Sequence, residues 1–202
     1  MEMVAEQQAI SFCRLGRKEA FRPLVEAYFA RSVRLARAIV GDGEEAKDLA
    51  QEAFVAAYRA LPKMLPGRPF YPWLRGILLN RCRMYLRTRQ RARARRVAAA
   101  ERPDHWATGA RALSTPERRR TADLVRRGLE RLSGEDRELL ALKHMEGYSY
   151  DELAAALGIG RGTVASRLYR ARRRMREVLT ELDPSLVEGE QSDSMPDLED
   201  EE

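Results

Sequence analysis

Arginine is the residue whose number and placement say most about the chemistry of this chain. Residues 81–96 hold eight arginines and no acidic residue. The segment Gly147–Arg174, GYSYDELAAALGIGRGTVASRLYRARRR, carries Arg161, Arg167, Arg170, Arg172, Arg173 and Arg174 with no acid after Glu152. A guanidinium is planar, permanently charged and forked, so a row of them suits phosphate oxygens. Just ahead of the first stretch stand Phe70, Tyr71 and Trp73 around Pro72, three rings in a chain that is 7% aromatic. Rings beside a cationic surface hold unpaired nucleic acid: bases stack on them at about 1–3 kcal/mol each, and arginines track the backbone. Phe70 and Trp73 have Leu74, Ile77 and Leu78 behind them and read equally as core, which leaves Tyr71 as the ring expected to be exposed.

Other chemistries find less support. The glycines at 158, 160 and 162 do not make the spacing of a dinucleotide-binding loop, and no strand precedes them. No serine or tyrosine has a visible base to activate it, and no carboxylates cluster for a metal, so neither catalytic residues nor a cofactor are expected. Cys13 and Cys82 lie far apart, and with His105 and His144 they do not form a zinc spacing. They read as reduced thiols of a cytoplasmic protein. The opening MEMVAEQQAI lacks a basic-then-apolar leader, and no apolar run is long enough to enter and cross a bilayer.

The chain has 202 residues and a net charge of +6, unevenly spread. Asp183–Glu202 holds nine acids and no base, which leaves +15 on the remainder (37 basic against 22 acidic side chains). So basic a body suits a polyanionic partner.

The elements that must position these residues are helical throughout. Phe21, Leu24, Val25 and Tyr28 recur at helical spacing, Leu35 and Ile39 continue the stripe, and Pro23 fits a first turn. Gly41-Asp42-Gly43 breaks the chain. A helix from Glu44 to about Leu61 then turns Leu49, Ala53, Phe54 and Ala57 inward and shows Asp48, Gln51 and Glu52 on its other side. On its own, that acidic and polar patch reads as plain solvation. Leu61–Pro72, with four prolines and a glycine, reads as a loop. Within Gly147–Arg174, Ser149 and Glu152 form a capping box, Leu153, Ala154 and Leu157 share a face, Gly158 ends the helix, and a second helix begins near Arg161–Thr163 and buries Val164 and Leu168. This is the pattern of a helix-turn-helix, whose second helix lies in the major groove. The expected organisation is all-α: two small helical domains over 10–96 and 119–182, a flexible linker over 97–118, and a disordered acidic tail over 183–202.

KDLAQEAFVAAYRAL, FYPWLRGILLN and LERLSGEDRELLALKHMEGYSYDELAAALGIGRGTVASRLYRAR, in this order, resemble regions 2 and 4 of bacterial sigma-70 family factors. The short form is similar to the extracytoplasmic-function group of RNA polymerase sigma factors. The resemblance covers about residues 17–92 and 120–180. It implies that Asp48, Gln51 and Glu52 dock on the β′ clamp helices of core RNA polymerase, against the plain solvation reading, and that the β flap is a second contact. It assigns Phe70, Tyr71 and Trp73 to promoter melting, and Asn80, Arg81, Arg83 and Arg87 to the −10 element. Arg161, Thr163, Ser166, Arg167 and Arg170 fall to the −35 element. An anti-sigma protein is a further implied partner. Ala165, Met84 and the acidic tail depart from the family pattern.

On this reading phosphate contacts supply most of the affinity and a few side chains read bases. Aromatic capture and polymerase binding offset the few kcal/mol needed per unstacked base. A free-standing helix-turn-helix regulator accounts for Gly147–Arg174 alone and leaves the acidic patch and the rings unexplained. A DNA-acting enzyme has no nucleophile to support it. The tail reads either as a solubilising disordered end or, through Asp193–Glu202, as a screen for an arginine-rich helix; if it screens, deleting everything after Leu182 should raise duplex affinity and steepen its salt dependence. Unchanged affinity and slope would remove the idea.

Overall fold

The computed structural model describes residues 3–97 and 116–184. Every regular element among them is helical, and they fall into two compact units. The first comprises α1 (Met3–Arg14), a 3-10 turn at Lys18–Phe21, α2 (Arg22–Val40), α3 (Gly43–Ala60), a 3-10 turn at Leu61–Lys63, and α4 (Phe70–Val97). The second comprises α5 (Pro116–Glu130), α6 (Gly134–His144), α7 (Tyr150–Leu157) and α8 (Arg161–Leu182). The expected linker and tail lie, but for Val97, 116–118 and 183–184, outside the described residues.

In the first unit the turn between α2 and α3 follows from two residues. Gly41 takes φ 87°, and its N–H closes α2 on the Arg37 carbonyl at 2.8 Å. Asp42 then caps α3 by accepting from the N–H groups of Glu44 (2.9 Å) and Glu45 (3.2 Å). Ala46, Ala50, Ala53 and Ala57 make a small-residue face on α3 that lets α2 and α4 pack closely against it. Leu24, Leu35 and Ile39 from α2, Leu49 and Phe54 from α3, and Leu74 and Leu78 from α4 fill the core between them.

The segment expected to be a loop as far as Pro72 becomes helical at Phe70. Pro72 sits in the first turn of α4, where its missing N–H costs no hydrogen bond. The ring of Phe70 is fully buried, with ring centroids of Phe21, Tyr28, Phe54 and Trp73 at 5.9–6.4 Å. Such pairs each add about 0.5–1.5 kcal/mol beyond the area they bury.

Helix α1 starts at Met3, ahead of the expected helical start at Ile10, and brings a charge into this core. Glu6 is 4% exposed. Its carboxylate accepts from the Tyr28 hydroxyl and, at 2.7 Å, from the backbone N–H of Phe70. A carboxylate satisfying an orphan amide at a helix N-terminus is also favoured by the helix dipole. Burial, then the Glu6 carboxylate, pushes the Tyr28 hydroxyl from 10.0 up to about 12. The folded chain therefore holds this proton more tightly than the unfolded one. The stabilisation is complete below pH 10 and is lost as the pH rises to about 12. Denaturant midpoints measured from pH 9 to 12 should fall with pH, about the range of tyrosine ionisation, and Tyr28→Phe should flatten that slope.

In the second unit α8 is the spine against which α5, α6 and α7 pack. Leu132, Leu139, Leu142, Leu153, Val164, Leu168 and Ala171 form its core. Gly128 permits the approach of α5 to α8, since a Cβ there would come within 2.8 Å of Met175 Cε.

Candidate nucleic-acid interface

The helix-turn-helix is assembled by local chemistry. Ser149 Oγ accepts from the N–H of Glu152 at 3.2 Å while the Glu152 carboxylate accepts from the N–H of Ser149 at 2.9 Å, so both halves of the capping box are made. Gly158 takes φ 66° and ψ 34°, and Ile159 donates back to the Ala154 carbonyl at 3.1 Å. With Gly160 extended, α8 opens at Arg161. Leu153, Val164 and Leu168 are fully buried at the crossing, and Thr163, Ser166 and Arg170 stand exposed, with Arg161 and Arg167 half-buried. All five residues expected to read duplex DNA thus belong to α8, whose span is about 33 Å. Arg170 Nε donates to the Ser166 carbonyl at 3.3 Å, and Ser166 Oγ donates to that of Thr163 at 3.1 Å.

The acid-free character expected of this helix ends at Arg176. It continues to Leu182 and carries Glu177 and Glu181, because the apolar positions Met175, Val178 and Leu179 keep it packed on the unit. Glu177 pairs with Arg173 at 2.9 Å and Glu181 with Arg131 at 2.7 Å. Acids of neighbouring helices also reach the arginine row. Asp136 lies 2.7 Å from Arg174, Glu135 3.8 Å from Arg167, and Asp151 3.8 Å from Arg161. The Glu135 and Asp151 carboxylates are exposed, and such pairs are worth about 0–1 kcal/mol, so phosphates can displace them; the Asp136 side chain is 14% exposed.

In the first unit Asp48, Gln51 and Glu52 are exposed together on α3. Asn80 and Arg87 are exposed on α4, Arg81 and Arg83 are half-buried there, and Met84 is exposed among them. The two sets meet: Arg81 Nη1 lies 2.6 Å from Glu52 Oε2, with side-chain exposures of 37% and 57%.

The rings require a correction. Tyr71, expected to be exposed, is 5% exposed. Its ring stacks on Tyr28 at 5.2 Å, with the Arg31 guanidinium 4.3 Å and that of Arg75 5.8 Å from its centroid. Stacking and cation–π attraction hold it against the unit and leave no face for a base. Phe70 is likewise closed off in the core, and Trp73 is half-buried. What stands out in their place is the turn before them. Leu65 is 66% exposed, and Pro66, Gly67, Arg68 and Pro69 are exposed with it. The proline-rich composition marks this turn as part of a loop but gives it no role, and α1 goes unmarked. The detectable clue was Glu6, an acid at helical spacing with Ala9, Ile10 and Cys13 on a buried stripe. Among the described residues no cluster of His, Cys, Asp or Glu is placed to hold a metal ion, and no helix is long and apolar enough to cross a membrane.

Known proteins carry the same two units in the same order. The family described as Sigma-70 region 2 matches residues 24–92, and Sigma-70, region 4 matches residues 122–175. The RNA polymerase sigma-H factor of Pseudomonas aeruginosa is 34% identical over 184 residues, covering 88% of this chain and 95% of that one. This chain belongs to the sigma-70 family. Within it the chain is an extracytoplasmic-function sigma factor. The ECF RNA polymerase sigma-E factor of Escherichia coli is 33% identical over 177 residues, covering 85% of this chain and 92% of that one. A sigma factor binds core RNA polymerase and promoter DNA and directs transcription initiation. A solved relative is the sigma factor RpoE from Bartonella quintana, crystallised with the anti-sigma factor NepR. It aligns with a TM-score of 0.63 at 25% identity, covering 81% of this chain and 98% of that one.

The turn in this sigma factor's helix-turn-helix depends on a backbone conformation that side chains resist. Gly158→Ala should lower unfolding stability by about 1–2 kcal/mol, the cost of a Cβ in the left-handed region. Gly162→Ala, in the first turn of α8 with open space around it, should not lower the urea midpoint.

Proposed function

We propose that the two units divide the work of initiation. The first docks on the β′ clamp helices of core polymerase through Asp48, Gln51 and Glu52. It meets the −10 element through Asn80, Arg81, Arg83 and Arg87, with Trp73 and the turn at 64–69 facing the separated strand. Phe70 and Tyr71 then serve melting by holding that turn and the start of α4, not by stacking on bases themselves. The second unit grips the −35 element with Arg161, Thr163, Ser166, Arg167 and Arg170 and contacts the β flap. The domains are placed at 10–96, with α1 extending the first back to Met3, and at 119–182, where α5 opens earlier at Pro116; the residues between connect them, and the acidic residues 183–202 follow. The factor works in the cytoplasm, without catalytic residues or a cofactor of its own. An anti-sigma factor, as crystallised with the Bartonella quintana relative, is proposed as its restraining partner.

The observation that carries this division is the adjacency of the exposed α3 patch and the exposed polar face of α4, joined by the Glu52–Arg81 pair. A polymerase-docking surface and a strand-contacting surface on neighbouring helices transmit polymerase binding energy to strand opening. The phosphate contacts of α8 supply position and salt-sensitive affinity.

The test is reconstitution with core polymerase. Run-off transcription from a duplex promoter should require the factor. Asp48→Lys should abolish co-purification with the core enzyme. Arg170→Ala should weaken promoter binding by the holoenzyme and lower the salt slope by about 1. Tight duplex binding with no affinity for core enzyme would instead return a free-standing regulator.

A further inference from the structure

We propose that α1 is a positioning bracket for promoter opening, in which Gln7 and Arg14, together with Glu6, hold the turn between the Leu61–Lys63 helix and α4 in the shape that receives the separated strand. This rests on the proposed role of that turn. Helix α1 (Met3–Arg14) precedes the residues matched to region 2, which begin at Leu24.

All three side chains reach the backbone of one segment. Gln7 Nε2 donates to the Arg68 carbonyl at 2.9 Å. Arg14 Nε donates to the Leu61 carbonyl at 3.2 Å, and its Nη2 to that of Met64. Glu6 accepts from the N–H of Phe70 at 2.7 Å. Gln7 and Arg14 are two helical turns apart, about 10 Å along α1. That spacing lets one rigid helix hold the turn near both ends.

Packing does not fix this turn. Its ends are buried at Leu61, Met64 and Phe70, while Leu65, Pro66, Gly67, Arg68 and Pro69 face solvent, and Gly67 takes φ 73°. The Arg68 carbonyl, on the exposed part of the turn, is satisfied by water at little cost, whereas those of Leu61 and Met64 sit at its buried ends. Ordering the long side chain of Gln7 to replace that water costs conformational entropy. A mere connection does not require it. Such bonds make sense where the turn's shape must be set before a ligand arrives, since ordering done in advance is not charged against binding. The exposed Leu65 and Arg68 then present an apolar and a cationic group in fixed register ahead of α4. An unpaired nucleotide offers a base face and a phosphate to match them.

The experiment uses the full chain with core polymerase and the double variant Gln7→Ala/Arg14→Ala. Three properties are read: affinity for core enzyme, thermal midpoint, and run-off rate on a promoter that is either fully duplex or pre-melted by mismatches across the −10 element. The bracket predicts a duplex-promoter rate lower by roughly 10- to 100-fold, the scale of a lost positioned geometry. Core affinity should stay at the parental value, the thermal midpoint should fall by no more than a few degrees, and the pre-melted template should recover most of the rate. Arg14→Lys, which keeps a donor, should recover part of the duplex rate in the Gln7 background. Equal loss on both templates with a larger fall in midpoint would make α1 a structural helix only and overturn the proposal, as would unchanged opening. Leu65→Ala separates this from the underlying reading. If Leu65→Ala impairs duplex opening and the α1 variants do not, the bracket alone fails. If Leu65→Ala opens the duplex promoter at the parental rate, the turn does not serve the strand and both fall.

Discussion

The ring of Phe70 lies among those of Phe21, Tyr28, Phe54 and Trp73, drawn from the first 3-10 turn and from α2, α3 and α4 itself. Because an interior packed to crystal-like density has little free volume, none of these elements can shift without opening a void beside that ring. Much of the first unit's geometry follows. The start of α4 is set, hence the direction in which Asn80, Arg81 and Arg87 project. The distance from α4 to α3 is set too, which brings Arg81 to Glu52. The backbone amide of the same residue is the one that Glu6 accepts from, so side chain and main chain of Phe70 are held by different elements. Hydrophobic packing supplies the energy there, and one buried carboxylate supplies direction.

The second unit reaches its arrangement differently. Its core is aliphatic and its spine is the helix that also carries the arginines. The same α8 must bury Val164, Leu168 and Ala171 and present Arg170 to solvent, so its cationic face cannot rotate independently of the fold. Acids from α6 and α7 lie close to several of those arginines. In the absence of nucleic acid they moderate the repulsion of a crowded cationic row. At exposed positions these attractions are weak and salt-screened, so they hold the side chains without locking them.

What the sequence disclosed were the features that local spacing determines. The Ser149–Glu152 box, the stop at Gly158, the opening at Arg161 and the inward set Leu49, Ala53, Phe54 and Ala57 are each settled within a few residues of themselves. Features decided by distant partners were hidden. Tyr71 has the composition of an exposed stacking ring, and only the fold brings Tyr28 and Arg31 against it. Glu6 stands in line with an apolar stripe, but its partners Tyr28 and Phe70 lie 22 and 64 residues further along the chain. Glu52 and Arg81 belong to separate patches along the chain and become one contact when α3 and α4 pack. The extension of α8 past its arginines followed from apolar residues that, read alone, gave no sign of what they cover.

Both cysteines are buried, Cys82 completely, and burial pushes the Cys13 thiol above its ordinary value. Peroxides and disulfides react with thiolate that solvent can reach, and neither group offers it. A cell whose thiol pool turns oxidising would therefore leave this polypeptide chemically unaltered at both sulfurs. Promoter choice could continue through such an episode, with any redox information reaching the factor through a separate molecule that does present a reactive sulfur.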